Sequence, residues 1–226
     1  MRTTRLHAYA LAGALAVTAV SAFAGTAHKT GWLQDYHRLN HIGGVPLEQV
    51  WVQPEFDVRA YRVLYIAPVQ VEPCAYRRNG EQDHQAAQRL AAAVRQQLEV
   101  RLREAGIFEV VSTDPYFSAA RSQALTLQVR ITEFNSGNPG ARALIGFGAG
   151  ATEVQLEGKV IENKTGRTLS EFADRRLHPG GSLLLGPKAT KDSEYLIGID
   201  MKGILDGVAK LFVYLREEGP QNQQTY

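Results

Sequence analysis

The segment over residues 143–151 has the most unusual composition in the chain, and its glycines are the first candidates for nucleotide chemistry. It is uncharged and carries Gly146-Phe147-Gly148-Ala149-Gly150 at its centre. A dinucleotide site needs its glycines between a strand and a helix, the third lying three residues after the second, and a phosphate loop ends in Gly-Lys-Ser/Thr. Here the last two glycines are two apart, a strand pattern follows, and the Gly-Lys-Ser/Thr ending is missing. The sequence therefore argues against nucleotide binding at this segment.

Two interpretations of these glycines remain open. Glycine lets backbones approach closely, which favours a bulged strand or a tight packing surface. An uncharged exposed loop would instead order against a membrane or a partner subunit, since exposed apolar patches often mark contacts. Two further glycines lie four residues apart in the last predicted helix. The candidate interaction residues are Gly146, Phe147, Gly148, Gly150, Gly203 and Gly207.

Metal and nucleophile signatures are weak. His37 and His41 are four residues apart, as in some zinc sites, but two ligands make no closed site, so we expect them to be exposed or capping. Cys74 is the only cysteine, so no internal disulfide can form. We expect a packed thiol, with an intermolecular bridge or a reactive thiol as alternatives.

Catalytic signatures are equally weak. Gly181-Ser182 is followed by leucines rather than by the second glycine of a hydrolase elbow. The sequence predicts no catalytic, cofactor-binding or metal residue and no enzyme. The carboxylates that sequence alone cannot pair include Asp57, Glu72, Glu133 and Glu171.

The N-terminus has the three parts of a cleavable signal peptide. Arg2 and Arg5 precede an uncharged stretch over residues 8–20, and Ser21-Ala22-Phe23-Ala24 provides a small-x-small cleavage site. The apolar part is shorter than the roughly 20 residues of a membrane-spanning helix. Residues 21–30 contain no cysteine that could carry a lipid. We expect residues 1–24 to be removed and the rest to be periplasmic or secreted without a lipid anchor.

The charge balance gives no sign of a nucleic-acid partner. The chain has 25 Lys and Arg against 23 Asp and Glu, and loss of Arg2 and Arg5 leaves 25 − 2 = 23 basic residues against the same 23 acidic ones. Nucleic-acid binders usually keep a basic surplus. No cofactor is predicted either.

Residues 25–60 mix aromatic, polar and turn residues without periodicity, which predicts an extended N-terminal lead-in. Residues 62–67 predict a short buried strand. Apolar residues then recur at helical spacing from a predicted cap at Asp83 to Gly106, and residues 107–111 predict another strand. If these two strands are parallel, the crossover is right-handed. The anchors expected in the lead-in are Trp32, Leu33, Tyr36, Leu39, Trp51 and Phe56.

The second half predicts three strands and a helix. Residues 125–131 alternate between apolar and polar side chains, and residues 154–160 and 167–174 predict a hairpin with its turn at 163–166. Residues 178–187 predict a loop, 192–217 a helix, and 219–226 a disordered tail. We expect Gly203 and Gly207 to allow a close approach that offsets their low helix propensity. The apolar stripe expected on this helix is Leu196, Ile199, Ile204, Val208, Leu211, Phe212 and Leu215.

These elements predict an α+β fold, a mixed α/β sandwich with a sheet of about four to six strands and two main helices. A single domain is expected over residues 61–218.

A longer set of residues resembles a known bacterial family. The chain is similar to domain of unknown function 3313 (DUF3313) over several segments. They are Gly31-Trp32-Leu33-Gln34-Asp35-Tyr36-His37-Arg38-Leu39, Trp51, Pro54, residues 61–69, the segment 146–150 and the Thr165-Gly166 turn. The resemblance implies an exported protein, often a lipoprotein, without established activity. The chain departs from that pattern by lacking the lipid-carrying cysteine.

Three functional hypotheses follow. The first is a non-catalytic accessory or assembly protein of the cell envelope, associated with the outer membrane and contacting another protein or itself through a sheet edge, the glycine-rich segment or the last helix. In element order the chain is similar to domains of the curli secretion lipoprotein and of the Tol system, which act by assembling with envelope partners. The second is a small-ligand binder or unrecognised hydrolase with a pocket between the loop 178–187 and Trp32 and Trp51. The third is a membrane-contacting subunit that uses residues 143–151.

Overall fold

The computed structural model describes residues 23–25, 27–73, 80–119, 122–138, 150–178 and 193–220. The predictions for residues 1–22, Cys74, Gly146 to Gly148, the loop 179–187 and the tail after residue 220 lie outside these ranges. No helix in the described ranges is both long and apolar enough to cross a membrane.

The described residues form one mixed sheet and two long helices, which confirms the α+β class. Eight strands are present in these ranges, against the four to six expected, because three of the five strands with only two to four residues carry no periodic signal. The helices are α1 (Glu81–Glu104) and α2 (Ser193–Glu218). The strands are β1 (Phe23–Gly25), β2 (Gln49–Val52), β3 (Val63–Ile66), β4 (Gln70–Val71), β5 (Val110–Ser112), β6 (Ala124–Asn135), β7 (Thr152–Glu162) and β8 (Thr168–His178).

The sheet order is β1-β8-β7-β6-β3-β5, with β2 also paired to β8 and β4 to β6. The long strands β6, β7 and β8 run antiparallel. β3 is parallel to both β5 and β6, so the predicted strand-helix-strand unit around α1 is present and its two strands are parallel. β2 was missed in the lead-in. It lies antiparallel to β8 from Gln49 opposite Ala173 to Val52 opposite Ser170.

Both helices pack on one side of the sheet, which is called the helix face below. The apolar positions of β6 and β7 point to this side and join α1 and α2 in one buried core. The ring of Phe172 lies over Gly158, the residue paired with it on β7. A Cβ added to Gly158 would be 2.0 Å from Phe172 Cζ. The glycine is therefore needed to seat the ring.

The start of α1 differs from the prediction. The N-cap is Gly80, with a φ of +61° and no side-chain cap, and Asp83 lies within the first turn at 1% exposure. Glu81 and Asp83 still favour this end of the helix, because the positive end of the macrodipole attracts carboxylates. Gly106 has a φ of +64° just after the helix, as expected of a glycine that ends one.

The two glycines of α2 have different surroundings. A Cβ on Gly207 would lie 2.8 Å from Leu47 Cδ2 and 3.1 Å from the Pro46 carbonyl oxygen, so the expected close approach occurs there. A Cβ on Gly203 would meet nothing within 4 Å. Ile199, assigned to the buried stripe, is 37% exposed instead.

The first strand crosses the expected signal-peptide cleavage site. β1 pairs Phe23, Ala24 and Gly25 with residues 177, 176 and 175 of β8. Cleavage after Ala24 would leave only Gly25 of this strand. The edge of the sheet next to β8 would then consist of β2 and the chain that precedes it.

Candidate functional site

The side of the sheet opposite the helices, the strap face, is covered by residues 27–41, which we call the strap. Leu33 and Leu39 of the strap pack with Ala173 of β8. Below them, β7 and β8 carry polar and charged side chains that are buried rather than solvated. The fully buried polar side chains on this face are Gln155, Glu157 and Glu171.

Glu157 is held by three side chains. Its Oε2 accepts hydrogen bonds from Thr30 Oγ1 at 2.9 Å and Tyr36 Oη at 3.0 Å, and its Oε1 accepts one from Gln155 Nε2 at 2.9 Å. Burial raises the pKa of Glu157 above the ordinary glutamate value, and these three hydrogen bonds oppose that rise. The carboxyl group therefore fastens the strap to the sheet.

Glu171 fastens the next part of the strap. Its Oε1 accepts the backbone N–H of Gln34 at 3.1 Å, and its Oε2 accepts Arg38 Nη2 at 2.9 Å. The Arg38 guanidinium also lies 3.5 Å from the centre of the Trp51 ring, close enough for a cation–π contact. Charge pairing and ring stacking thus fix the same arginine.

Trp32 lies between two cations of the sheet. Arg130 and Lys159 are 4.9 Å and 4.7 Å from the centre of its ring. Burial lowers the pKa of Lys159, and the charge of Glu171 opposes that shift. Lys159 contacts the strap through the Trp32 ring.

One group on this face has the composition of a metal site. The side chains of His28, Glu133 and Glu153 bring one potential ligand atom each within 4.8 Å of the others. His28 Nδ1 is 2.7 Å from Glu133 Oε2, and Arg175 Nε is 2.6 Å from Glu153 Oε1. Burial, together with the neighbouring charge of Glu153, raises the pKa of Glu133. This is the set of described residues best suited to hold a cation.

A second polar cluster lies on the helix face, where β8 meets α2. His178 Nδ1 is 3.5 Å from Asp200 Oδ1, and neither oxygen of Asp200 accepts a hydrogen bond from the described residues. Asp174 Oδ2 accepts one from Arg176 at 2.7 Å, whereas its Oδ1 and Thr152 Oγ1 have no partner in the same ranges. Burial raises the pKa of Asp174, and Arg176 opposes the rise. Several buried polar atoms at this end of the core therefore lack a hydrogen-bond partner among the described residues.

The predicted candidates are dispersed. His37 and His41 are both exposed, as expected, and His37 Nε2 lies 3.3 Å from Lys29 Nζ. Gly150 is half-buried, with a φ of +73°, just before β7. The four carboxylates that sequence could not pair each contact a different basic side chain, the pairs being Asp57 with Arg59, Glu72 with Arg130, Glu133 with His28, and Glu171 with Arg38.

The pocket expected between the loop 178–187 and the two tryptophans lies largely outside the described residues, which include only His178 of that loop. Trp51 pairs with Glu171 and packs on the strap face. His178 faces Asp200 of α2 on the other side of the sheet.

Sequence reasoning missed the strap face as a polar interior. The signal was the alternating polar residues Glu153, Gln155 and Glu157 between the core positions of β7, together with the aromatic residues of the lead-in. Polar residues on alternating positions normally predict a solvated face, and only the docked strap reverses that expectation.

A family model described as "Domain of unknown function (DUF4410)" matches residues 54–178, more than half of the chain. The assignment to DUF3313 was therefore wrong. It rested in part on residues 31–39, which lie outside the matched range and whose aromatic pattern reflects packing of the strap. No curated protein matches the chain.

Several solved structures are similar at low identity. The PelC dodecamer from Paraburkholderia phytofirmans is 12% identical, with a TM-score of 0.40, and the match covers 71% of this chain and 94% of that one. Protein XCC0632 from Xanthomonas campestris is 14% identical, with a TM-score of 0.45 and coverage of 75% and 91%. The hypothetical protein CT253 from Chlamydia trachomatis is 9% identical, with a TM-score of 0.39 and coverage of 67% and 98%.

Proposed function

Since the chain belongs to the DUF4410 family, a domain of unknown function, we propose that it is a non-catalytic protein of the bacterial cell envelope that acts by binding another protein. The support for export is the three-part arrangement of residues 2–24, a charged start, an apolar stretch and a small-x-small end. The support for binding comes from the surface of the two helices.

The observation that carries the proposal is an apolar groove between α1 and α2. One part of it has a volume of about 220 Å³ and is lined mainly by apolar or small residues. The groove continues along the helices as a second space of about 310 Å³. We call it the helix groove, and its floor consists of Ala86, Leu90, Ala93, Ile197 and Gly198.

The helix groove has the features of a site for a partner helix. Ala93 and Gly198 are exposed, and a Cβ on Gly198 would meet nothing within 4 Å, so a second backbone can approach closely. Amphipathic helices bind such grooves through apolar residues one turn apart. Arg101 with Asp206 at 2.8 Å makes an ion pair along the rim, so the rim does not select strongly for one charge.

Further apolar side chains are exposed on the two helices that form the groove. Val100 is 47% exposed on α1, and Tyr195 and Ile199 are 41% and 37% exposed on α2. Exposed apolar residues gathered on neighbouring elements are more informative than single ones. The partner is therefore proposed to cover these two helices.

The sheet edges are weaker candidates for binding than the helix groove. β5 has three residues, and β1 and β2 have three and four. Very short edge strands are a common means of avoiding edge-to-edge pairing. For this reason the proposal places the contact on the helices.

The proposal of a non-catalytic role is supported by the way the strap-face carboxylates are used. The carboxyl oxygens of Glu157 and Glu171 already accept hydrogen bonds from the strap and the sheet. A general acid or base must instead reach a substrate atom at hydrogen-bond distance. These groups serve the docking of residues 27–41.

The test is site-specific photo-crosslinking in cells. A photoreactive amino acid at Ala93 is expected to give an adduct of defined mass with an envelope protein, in near-stoichiometric yield. The same amino acid at the exposed Lys164, in the turn between β7 and β8, serves as the control position. Mass spectrometry then identifies the partner.

A matched pair of variants shows whether the helix groove itself is used. Ala93→Glu places a charge in the groove and is expected to abolish the adduct formed by a photoreactive residue at Tyr195. Ala92→Glu adds the same charge at an exposed neighbour outside the groove and should leave the adduct intact. A strictly monomeric protein without adducts, or equal yields at positions 93 and 164, would overturn the proposal.

A further inference from the structure

We propose that His28, Glu133 and Glu153 bind a divalent transition-metal ion of the Zn²⁺ type, which ties the strap to the sheet. The three ligand atoms come from three places in the chain, the strap, β6 and β7, and lie within 4.8 Å of one another. Imidazole nitrogen and carboxylate oxygen are the donors that Zn²⁺ takes in proteins outside thiolate sites.

The histidine is held in place through its backbone. His28 N donates to Gln155 Oε1 at 2.7 Å, and Gln155 Nε2 donates back to the His28 carbonyl oxygen at 2.9 Å. Gln155 is fully buried, so this double hydrogen bond is shielded from water. The residue before it is fixed as well, because Ala27 N donates to Glu48 Oε1 at 2.8 Å. The ring is thus presented to Glu133 whenever the strap is docked.

The two carboxylates are available on the side that faces His28. Glu133 Oε2 is a buried atom and accepts no hydrogen bond from the described residues, although His28 Nδ1 is only 2.7 Å away. The nitrogen and the oxygen therefore approach each other without the directionality of a hydrogen bond. Two donors arranged in this way can both point at a third atom.

Arg175 orients both carboxylates. Its Nε donates to Glu153 Oε1 at 2.6 Å and lies 3.7 Å from Glu133 Oε2, so its charge would share these two groups with an ion. Ligating carboxylates are commonly held by such outer hydrogen bonds. Glu153 is 6% exposed, so this orientation is fixed by packing as well.

The ion would have an open side. The His28 side chain is 54% exposed, whereas those of Glu133 and Glu153 are 29% and 7% exposed. Zinc sites that keep a water or accept an outside ligand have three protein ligands and one coordination position that faces solvent. The movement needed to bring the ligand atoms to about 2.0–2.2 Å from the metal falls on the exposed imidazole.

Zn²⁺ titration of the purified chain, prepared without a polyhistidine tag and in chelator-free buffer, tests the site. Isothermal calorimetry is expected to give one ion per chain, with release of protons as the ligands deprotonate. Thermal unfolding should shift to higher temperature with added Zn²⁺, because the ion binds the folded chain. The shift should be accompanied by slower proteolysis within residues 27–41.

Three variants assign the ion to these residues. His28→Gln and Glu133→Gln are each expected to weaken Zn²⁺ binding at least about tenfold, as loss of a ligand or of its support does. His37→Gln removes an exposed histidine of the same strap and should leave the affinity unchanged. Circular dichroism of each variant without metal verifies that it folds.

Two results would overturn the assignment. One is absence of binding to the wild-type chain up to about 1 mM Zn²⁺, which corresponds to an affinity too weak for a built site. The other is binding that persists unchanged in both His28→Gln and Glu133→Gln, which would place the ion elsewhere. Neither result bears on the helix groove, since the two sites lie on opposite sides of the sheet.

Discussion

The two faces of β7 and β8 are both buried, but by different physical means. On the helix face, Val154, Leu156 and Phe172 are fully buried against apolar residues of α2. On the strap face, Glu157 and Glu171 are just as inaccessible, yet their neighbours are hydrogen-bond donors and cations. Apolar burial is non-directional, whereas polar burial is favourable only when each group is paired. The helix face should therefore carry most of the stability, and the strap face most of the sensitivity to charge.

Loss of the ring over Gly158 should have the largest effect. Phe172→Ala removes a fully buried side chain and is expected to lower the free energy of unfolding by about 3–5 kcal/mol. Tyr116→Ala, at a side chain that is 79% exposed, should change it by less than about 0.5 kcal/mol. Urea unfolding of both variants measures the difference, and similar losses would contradict the assignment of the core.

A double-mutant cycle sharpens this expectation. Gly158→Ala should be strongly destabilising in the wild-type chain, because its Cβ would lie 2.0 Å from Phe172 Cζ. In the Phe172→Ala background the same change should be tolerated, since the obstructing ring is gone. Additive effects would mean that the two residues do not interact.

Breaking the strap-face ion pair should have the next largest effect. Arg38→Met leaves the buried Glu171 without its cation and is expected to lower the free energy of unfolding by about 1–3 kcal/mol. The double variant Arg38→Met, Glu171→Leu should regain much of this loss, because both partners become apolar. Urea unfolding and proteolysis of residues 27–41 are the measurements.

The control for the ion pair is an exposed pair of the same type. Arg59 Nε lies 2.7 Å from Asp57 Oδ1, with side-chain exposures of 53% and 35%. Arg59→Met should cost less than about 1 kcal/mol. If it costs as much as Arg38→Met, burial does not distinguish the strap face from the surface.

The two glycines of α2 should respond in opposite directions. Gly207→Ala crowds Leu47 and the Pro46 carbonyl, at a cost of about 1–3 kcal/mol that outweighs the gain in helix propensity. Gly203→Ala meets open space and should stabilise the chain by up to about 1 kcal/mol. Equal shifts in the thermal midpoint would show that α2 does not approach Pro46 and Leu47 closely.

The smallest effect expected is a dependence on pH. The raised pKa of Glu157 means that the folded chain binds this proton more tightly than the unfolded chain does. The contribution of Glu157 to stability is therefore greatest below its ordinary pKa of 4.5 and falls as the pH rises through the raised value. Glu157→Gln removes this contribution, so the stability of the wild type relative to the variant should decrease as the pH rises through the range above about 4.5.

Urea unfolding of both proteins across that range measures the pH effect. Glu162→Gln is a useful contrast, because hydrogen bonds from Thr165 and Tyr61 lower the pKa of Glu162 and so give a contribution of the opposite sign. A difference between wild type and Glu157→Gln that does not vary with pH would contradict the buried position of this carboxyl group.

The periodic elements could be predicted because their signals are local. α2 begins and ends within one residue of the expected positions, the N-cap of α1 lies three residues before the expected cap, and β6, β7 and β8 lie where the strand patterns placed them. β2 could not be predicted, since four residues in a lead-in without periodicity resemble a loop. The N-cap was misplaced because Asp83 fits the pattern of a cap, whereas Gly80 gives no side-chain signal.

The candidate sites were harder to predict because they depend on distant residues. His28 is 105 residues from Glu133 and 125 from Glu153 in the chain, 133 − 28 and 153 − 28, so no spacing motif can join them. The groove between α1 and α2 is formed by two helices whose relative position the sequence does not state. The only histidines with a metal-site spacing are His37 and His41, and these two are both exposed.

By itself the sequence determined the class of fold, the order of the long elements and the side of each strand that faces the helices. Hydrophobic periodicity carries that information, because it is set by the local geometry of helix and strand. Only the tertiary structure decided that the polar side of β7 and β8 is also an interior, that Gly207 rather than Gly203 is packed, and that His28 meets two glutamates. Each of these depends on a segment that docks from far away in the chain, and the free energy of docking is shared among many residues that no local pattern connects.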